Sequence, residues 1–555
     1  MAWTRPTIGW LGVALVVPLL ASACSETSAD ESQTPGEIAR VFTNGKIYTV
    51  DDRNPWVESV GVDSGGVIVA LGTNQEVLSS VPASAEVVNL DGQFAMPGIQ
   101  DPHEHVLEAG INLNACLLPE RRALRAYERP IAQCAQDQPR QTWVRAAGAP
   151  ASEFPDTGRE LPVDVLDRAS PDRPAIILDD LGHSVWTNSL GLAAAGINST
   201  TPDPDGGEIG RDPNTGRLTG VLFEDAQHLI RDLATEDPEV GYAGLQAGLA
   251  VLRRNGITSV SDAGGYWTQG HPEQWQRALD RDELSVRARN SIYIYAGEPV
   301  DEQLAEAKKR FSYDPDSLLT FNMAKIYVDG ILDLGTAYLL EPTPEDTDKG
   351  YFQPDVLNRY VAELHEAGFQ IKFHVIGDAA AREALNAIEM IPADREDVAA
   401  RKHHLTHTYL VAESDRPRFK ELGVGADFQM APDVVAESDF DGLTLIPARS
   451  ILNTGALVTL SSDYDADPIS PWGTLERALT RGDEAFPDLA SAVAAMTIKP
   501  AELLRQQDRT GSLEIGKLAD MVVLDRDIFE VEPRTIGQAT VTRTILGGET
   551  IYQRQ

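Results

Sequence analysis

The chain has 555 residues, and its 47 basic and 85 acidic side chains leave a formal charge of −38. A surface of that sign repels nucleic acid and anionic lipid headgroups, which excludes both as partners of the folded protein. The 42% hydrophobic content is globular, and the length has room for one large domain and a smaller one.

Arg5 precedes an apolar stretch, Ile8 to Leu20, that ends in Ala21-Ser22-Ala23-Cys24. A basic start, a short apolar core and small residues before a cut site predict an export signal over residues 1–23. The stretch is too short and too close to the terminus to be read as a membrane span. Small residues directly before Cys24 resemble a bacterial lipobox, in which the cysteine is acylated and becomes the new N-terminus. An ordinary signal cut just before Cys24 is the alternative. Residues 24–37 are then a lipidated cysteine and a polar tether. The expected product is an exported bacterial lipoprotein, anchored to the cell membrane or outer membrane through its lipid alone.

From residue 38 to 96 the pattern is short and strand-like. Val41-Phe42-Thr43, Lys46-Ile47-Tyr48-Thr49-Val50 and Val67-Ile68-Val69-Ala70-Leu71 read as strands, and Asn44-Gly45 predicts a hairpin turn. Ala519 to Leu524 and Thr542 to Leu546 repeat this style. Residues 38–96 and 505–555 therefore predict one small β-sandwich domain built from both chain ends.

Residues 97–504 alternate strand-like runs with helical patterns. Pro174 to Leu178, Ile257 to Val260, Met323 to Val328 and Gln370 to Val375 are the strand-like runs, while Val356 to Ala367 and Ala379 to Met390 read as helices. Repeated units of this length predict an α/β fold, a distorted (β/α)8 TIM barrel whose active site lies at the C-terminal strand ends. Cys116 and Cys134 are the other two cysteines. In an exported protein they are read as a disulfide, with a pair of buried thiols as the alternative.

His103 and His105 follow a hydrophobic run in Pro97-Gly98-Ile99-Gln100-Asp101-Pro102-His103-Glu104-His105. On an extended strand, positions i and i+2 point to one face, so both imidazoles can grip one divalent metal. Lys325, His374, His407 and Asp463 each end a later apolar run. Lys325 shares parity with Phe321 and Met323 and so faces inward. His403 and His404 compete with His407 within one segment. Lys372, two before His374, also points inward, where its charge is costly unless paired. His228, His271 and His365 lack such context and are read as surface or helix residues.

With these segments in view, the chain resembles the amidohydrolase superfamily, in the branch that includes N-substituted formamide deformylases (amidohydrolase family 3). The likeness runs from Asn44-Gly45-Lys46-Ile47 to Gly511 through Asp520. It includes Gly182-His183-Ser184-Val185-Trp186-Thr187-Asn188-Ser189, Lys325 through Gly330, and His374 through Asp378. The resemblance implies that His103 and His105 hold one metal, that His374 and His407 hold a second, and that Lys325, carboxylated by CO2, bridges the two. Asp463 would bind the first metal and take a proton from the attacking water. The cofactor implied is Zn²⁺ or a similar divalent ion, one or two per chain; a single ion would leave Lys325 uncarboxylated.

The chain departs from the branch at Thr406-His407-Thr408, where Glu-His-Ala is common, and at Ser461-Ser462-Asp463, where Gly-Ser-Asp is common. His183 and Trp186 are read as parts of a substrate pocket, the indole as a flat apolar wall, with a packed core pair as the alternative. Glu224 is a candidate for substrate or metal contact. The expected activity is metal-dependent hydrolysis of a non-peptide C–N bond, amide or formamide, in a small molecule. Ester or lactone hydrolysis at the same site and a solute-binding lipoprotein without turnover are the alternatives. Retention of Asp463 argues against a passive binder. A homodimer is compatible with this reading, and the substrate's identity is not written in the strands, because barrel loops set specificity.

Overall fold

Eight strands pair side by side in chain order to make one parallel sheet. They are β1 (Ile99–Glu104), β2 (Ile257–Asp262), β3 (Arg287–Ile294), β4 (Leu319–Tyr327), β5 (Gln370–Val375), β6 (His404–His407), β7 (Gly425–Gln429) and β8 (Leu457–Ser461). The computed structural model describes residues 36–119, 123–148, 160–179, 181–341, 350–430, 439–440, 442–464 and 469–555. Residues Glu37–Gln555 form one unit. The residues read as an export signal, Cys24 and most of the expected tether lie outside the described residues.

Between β1 and β8 the barrel closes just beyond the last ladder. The Asp463 amide donates to the His103 carbonyl at 3.0 Å, and the Ser462 amide donates to the Asp101 carboxylate at 3.0 Å. In β5, Ile371, Phe373 and Val375 enter the apolar layer under the outer helices, while Gln370, Lys372 and His374 are equally buried. An alternating strand is thus buried on both faces because the barrel interior is a hydrogen-bonded polar layer. The flanking helices Pro354–Glu366 and Asp378–Glu389 repeat apolar residues at helical spacing, as in Leu357, Tyr360, Val361 and Leu364.

Both chain ends contribute to a β-sandwich. A four-stranded sheet uses Arg40–Thr43, Ser59–Val62, Ile68–Gly72 and Glu86–Asn89, and a six-stranded sheet joins Lys46–Tyr48, Trp56–Val57 and Phe94–Pro97 to Met521–Leu524, Val541–Leu546 and Glu549–Gln553. Phe42, Val60 and Ile68 from the first meet Ala95, Met521 and Ile545 from the second in a shared core. Asn44-Gly45 is not the hairpin turn expected: its two flanking strands belong to different sheets. Asn44, at φ 57°, carries the chain across the sandwich instead.

A further six-stranded sheet is inserted between the helix Val106–Leu113 and β2. It comprises Cys116–Leu117, Val144–Ala147, Ala175–Leu178, Ser184–Thr187, Gly207–Arg211 and Leu218–Glu224. The Pro174–Leu178 run therefore belongs to this insertion and not to the barrel. Ile177 packs into one apolar cluster and Ile176 into another, so both faces are covered, as in a barrel strand. Cys116 and Cys134 are bonded, with Cα atoms 5.7 Å apart, tying the edge strand to the helix Glu128–Asp137.

Candidate metal centre

Asp463 lies where three imidazoles converge. Its Oδ1 is 3.3 Å from His103 Nε2 and 3.5 Å from His105 Nε2, and its Oδ2 is 3.7 Å from His407 Nδ1. Ligand atoms of His103, His105 and Asp463 lie within 4.8 Å of one another, a group able to hold a metal ion. Lys325 Nζ, fully buried, sits 3.2 Å from His103 Nε2. The rings of His374 and His407 are 4.3 Å apart, and His374 stacks on Tyr327 at 4.2 Å.

Backbone strain aims two of these groups. Thr406 points into the barrel, so a fully extended His407 would point outward beside Leu405. Positive φ at His407 (67°) and Thr408 (51°) turns the strand end back over the site, and Asp463 is also left-handed at φ 53°. Such conformations are disfavoured for residues with a Cβ and cluster at functional sites.

The donor set suits a cation. Burial pushes His103, His374 and His407 well below the usual histidine range, which keeps their lone pairs free. Burial, then the charge of Lys372, also holds Lys325 well below the usual lysine range. His374 Nε2 donates to the Gly330 carbonyl at 3.2 Å, while its buried Nδ1 has no hydrogen-bond partner. His105 Nδ1 faces Glu108 at 3.2 Å, which leaves Nε2 for Asp463. One nitrogen held and the other exposed is how ligating imidazoles are oriented.

A pocket of about 50 Å³ opens over these groups, lined by His105, His183, Tyr327, His374, His407 and Asp463 among others. The amidohydrolase family model matches residues 86–552. The chain belongs to the amidohydrolase family. This amidohydrolase is 27% identical to LONG AFTER FAR-RED 3 of Arabidopsis thaliana, over 97% of this chain and 95% of the relative. Its identity to the N-substituted formamide deformylase of Arthrobacter pascens is 26%, over 93% and 98% of the two chains. A solved metal-dependent hydrolase from Pyrococcus horikoshii shares the fold, with TM-score 0.70 at 20% identity, covering 89% of this chain and 99% of its own.

The structure redistributes several expected roles within this amidohydrolase. Trp186 is not a pocket wall: it is fully buried against Tyr127, at 5.6 Å between rings, in the core of the inserted sheet. His183 does line the pocket, with its ring 5.2 Å from that of His374. Glu224 stands one layer behind, its carboxylate accepting from His183 Nδ1 and the Thr336 hydroxyl, each at 2.6 Å. Burial opposes charge on His183, but Glu224 outweighs it and raises the imidazole.

The rival histidines are engaged elsewhere. His403 Nδ1 accepts from the Ile371 amide and its Nε2 meets His365, both at 3.0 Å; His404 meets Gln370 at 3.2 Å. His228, His271 and His365 do lie on helices, yet all three are buried rather than at the surface. Lys372 is deep in the barrel as expected and donates to the Pro102 carbonyl at 2.6 Å and the Ser261 hydroxyl at 2.8 Å. Burial lowers it to about 8 against the pull of Asp427 and other carboxylates.

Three supporting residues went unread in the sequence. Glu108 pairs with Arg231 from the insertion and steadies His105. Its signal was helical, three residues after the ligand candidate. Asp427 carried a signal too, as a charged residue inside an apolar run, whereas Arg231 had none.

Proposed function

We propose that this protein hydrolyses a non-peptide C–N bond, of amide or formamide type, in a small molecule. The observation that carries the reading is the Asp463 carboxylate 3.3–3.7 Å from three imidazoles at the mouth of the barrel. His103, His105 and Asp463 would hold one divalent ion, Zn²⁺ or similar, with His374 and His407 holding a second. Lys325, if carboxylated by CO2, would add an anionic oxygen donor to this set. When bound, such an ion supplies Lewis acidity, acidifying water and polarising a carbonyl. Asp463 accepts the proton of the attacking water at a carboxylate oxygen and returns it to the departing nitrogen. His183, held by Glu224, lines the same pocket and would contact the substrate there. The full-length match to a relative named as a formamide deformylase supports this bond type.

The test is turnover of the purified full chain on a panel of amides, formamides, esters and lactones. Turnover of amides or formamides is expected. Activity confined to esters or lactones would replace the C–N assignment.

The same proposal includes export and anchoring through Cys24. Replacing Cys24 with serine should move the protein from the membrane fraction to the soluble one. A serine variant that fractionates like the parent removes lipidation as the anchor. The Cys116–Cys134 disulfide suits an oxidising compartment.

A further inference from the structure

We infer that Thr406 is a positioning residue that fixes the tautomer of His103, and with it the nitrogen offered to the cation; this rests on the metal reading above. Thr406 is paired in register with Asp427 on the neighbouring strand. Its Oγ1 lies 2.7 Å from His103 Nδ1 and 2.8 Å from Asp427 Oδ2, and all three residues are fully buried.

A hydroxyl has one proton and two lone pairs. The Asp427 carboxylate is an acceptor and already takes the Thr459 and Ser461 hydroxyls at 2.7 Å each. The Thr406 proton therefore goes to Asp427, which leaves Oγ1 to accept from the His103 N–H. Gln429 Nε2, 3.2 Å away, adds a second donor to the same oxygen. The proton of neutral His103 is thereby placed on Nδ1. Nε2 keeps its lone pair and faces Asp463 and Lys325 at 3.3 and 3.2 Å. The opposite tautomer would set two oxygens against each other 2.8 Å apart without a proton between them, an uncompensated loss in a buried site.

Thr406 itself carries no charge; Asp427, one strand over, supplies it, and the hydroxyl relays its pull to His103.

The experiment measures Zn²⁺ affinity of the metal-free full chain by competition with a chelator, for the parent, Thr406→Val and Thr406→Ser. Valine keeps the shape and removes the relay, so its affinity should fall about 10–100-fold, the usual cost of losing such a partner. Serine keeps the hydroxyl and should keep parental affinity. Far-UV circular dichroism and the thermal midpoint of the metal-free proteins report folding separately. A folded valine variant that binds Zn²⁺ like the parent overturns the inference, and so does a serine variant as weak as valine. If valine does not fold, Thr406→Ala is read against the same expectation. A parent that binds no Zn²⁺ instead sinks the metal reading itself.

Discussion

Replacing Asp463 with asparagine is expected to cut turnover by at least about a hundredfold, the lower range for losing general acid–base catalysis. Asparagine keeps the shape of the side chain and one oxygen for a cation, but it cannot take up the proton of water at neutral pH. Metal content should therefore fall only in part while activity collapses. His103, His105 and His407 converge on this carboxylate, and its backbone is held in the left-handed region. The measurement is turnover per metal-loaded site, parent against variant, on any substrate found in the panel. Near-parental turnover would show that Asp463 is not the proton carrier. His183, which lines the same pocket, would then be the next group to replace, ahead of Glu224, which is already committed to His183 and Thr336.

Asp520→Ala is expected to destabilise the fold by about 3–5 kcal/mol, the cost of removing one partner from a buried ion pair. Arg287, at the start of β3, donates to Asp520 through Nε at 2.7 Å and Nη2 at 3.0 Å. The Gly547 amide donates to the same carboxylate at 2.7 Å. Asp520 thus joins the barrel to the C-terminal strands of the sandwich, and its loss strands a guanidinium only 9% exposed. Denaturant unfolding of parent and variant gives the difference. A variant with the parental midpoint would show that this junction contributes nothing to stability.

The barrel strands and the His103–His105 pair were legible because they obey a short-range rule. His103 and His105 follow strand parity, and β5 is bounded in the structure where its alternation begins and ends in the sequence. The rest was hidden by physics that a local pattern does not carry. Ala175–Leu178 reads like a barrel strand because helices and loops cover both faces of the inserted sheet as well. Asn44-Gly45 has hairpin composition, but which sheet each flanking strand joins is decided by partners far along the chain. His183 and Trp186 are three residues apart, yet one lines the pocket and the other is packed in the core of the inserted sheet. His407 breaks parity altogether, since a positive φ brings back a ring that an extended backbone would send outward.

A metal site at the barrel mouth must show in elemental analysis of the purified full chain. About one to two equivalents of Zn²⁺ or a similar divalent ion per chain are expected, falling sharply in a His103→Ala, His105→Ala double variant that still folds. One equivalent would mark a single-ion site with Lys325 unmodified; two would fit the Lys325 carbamate. Protein prepared without chelators that carries no stoichiometric metal, yet turns over an amide or formamide, would rule out a metal site at the barrel mouth.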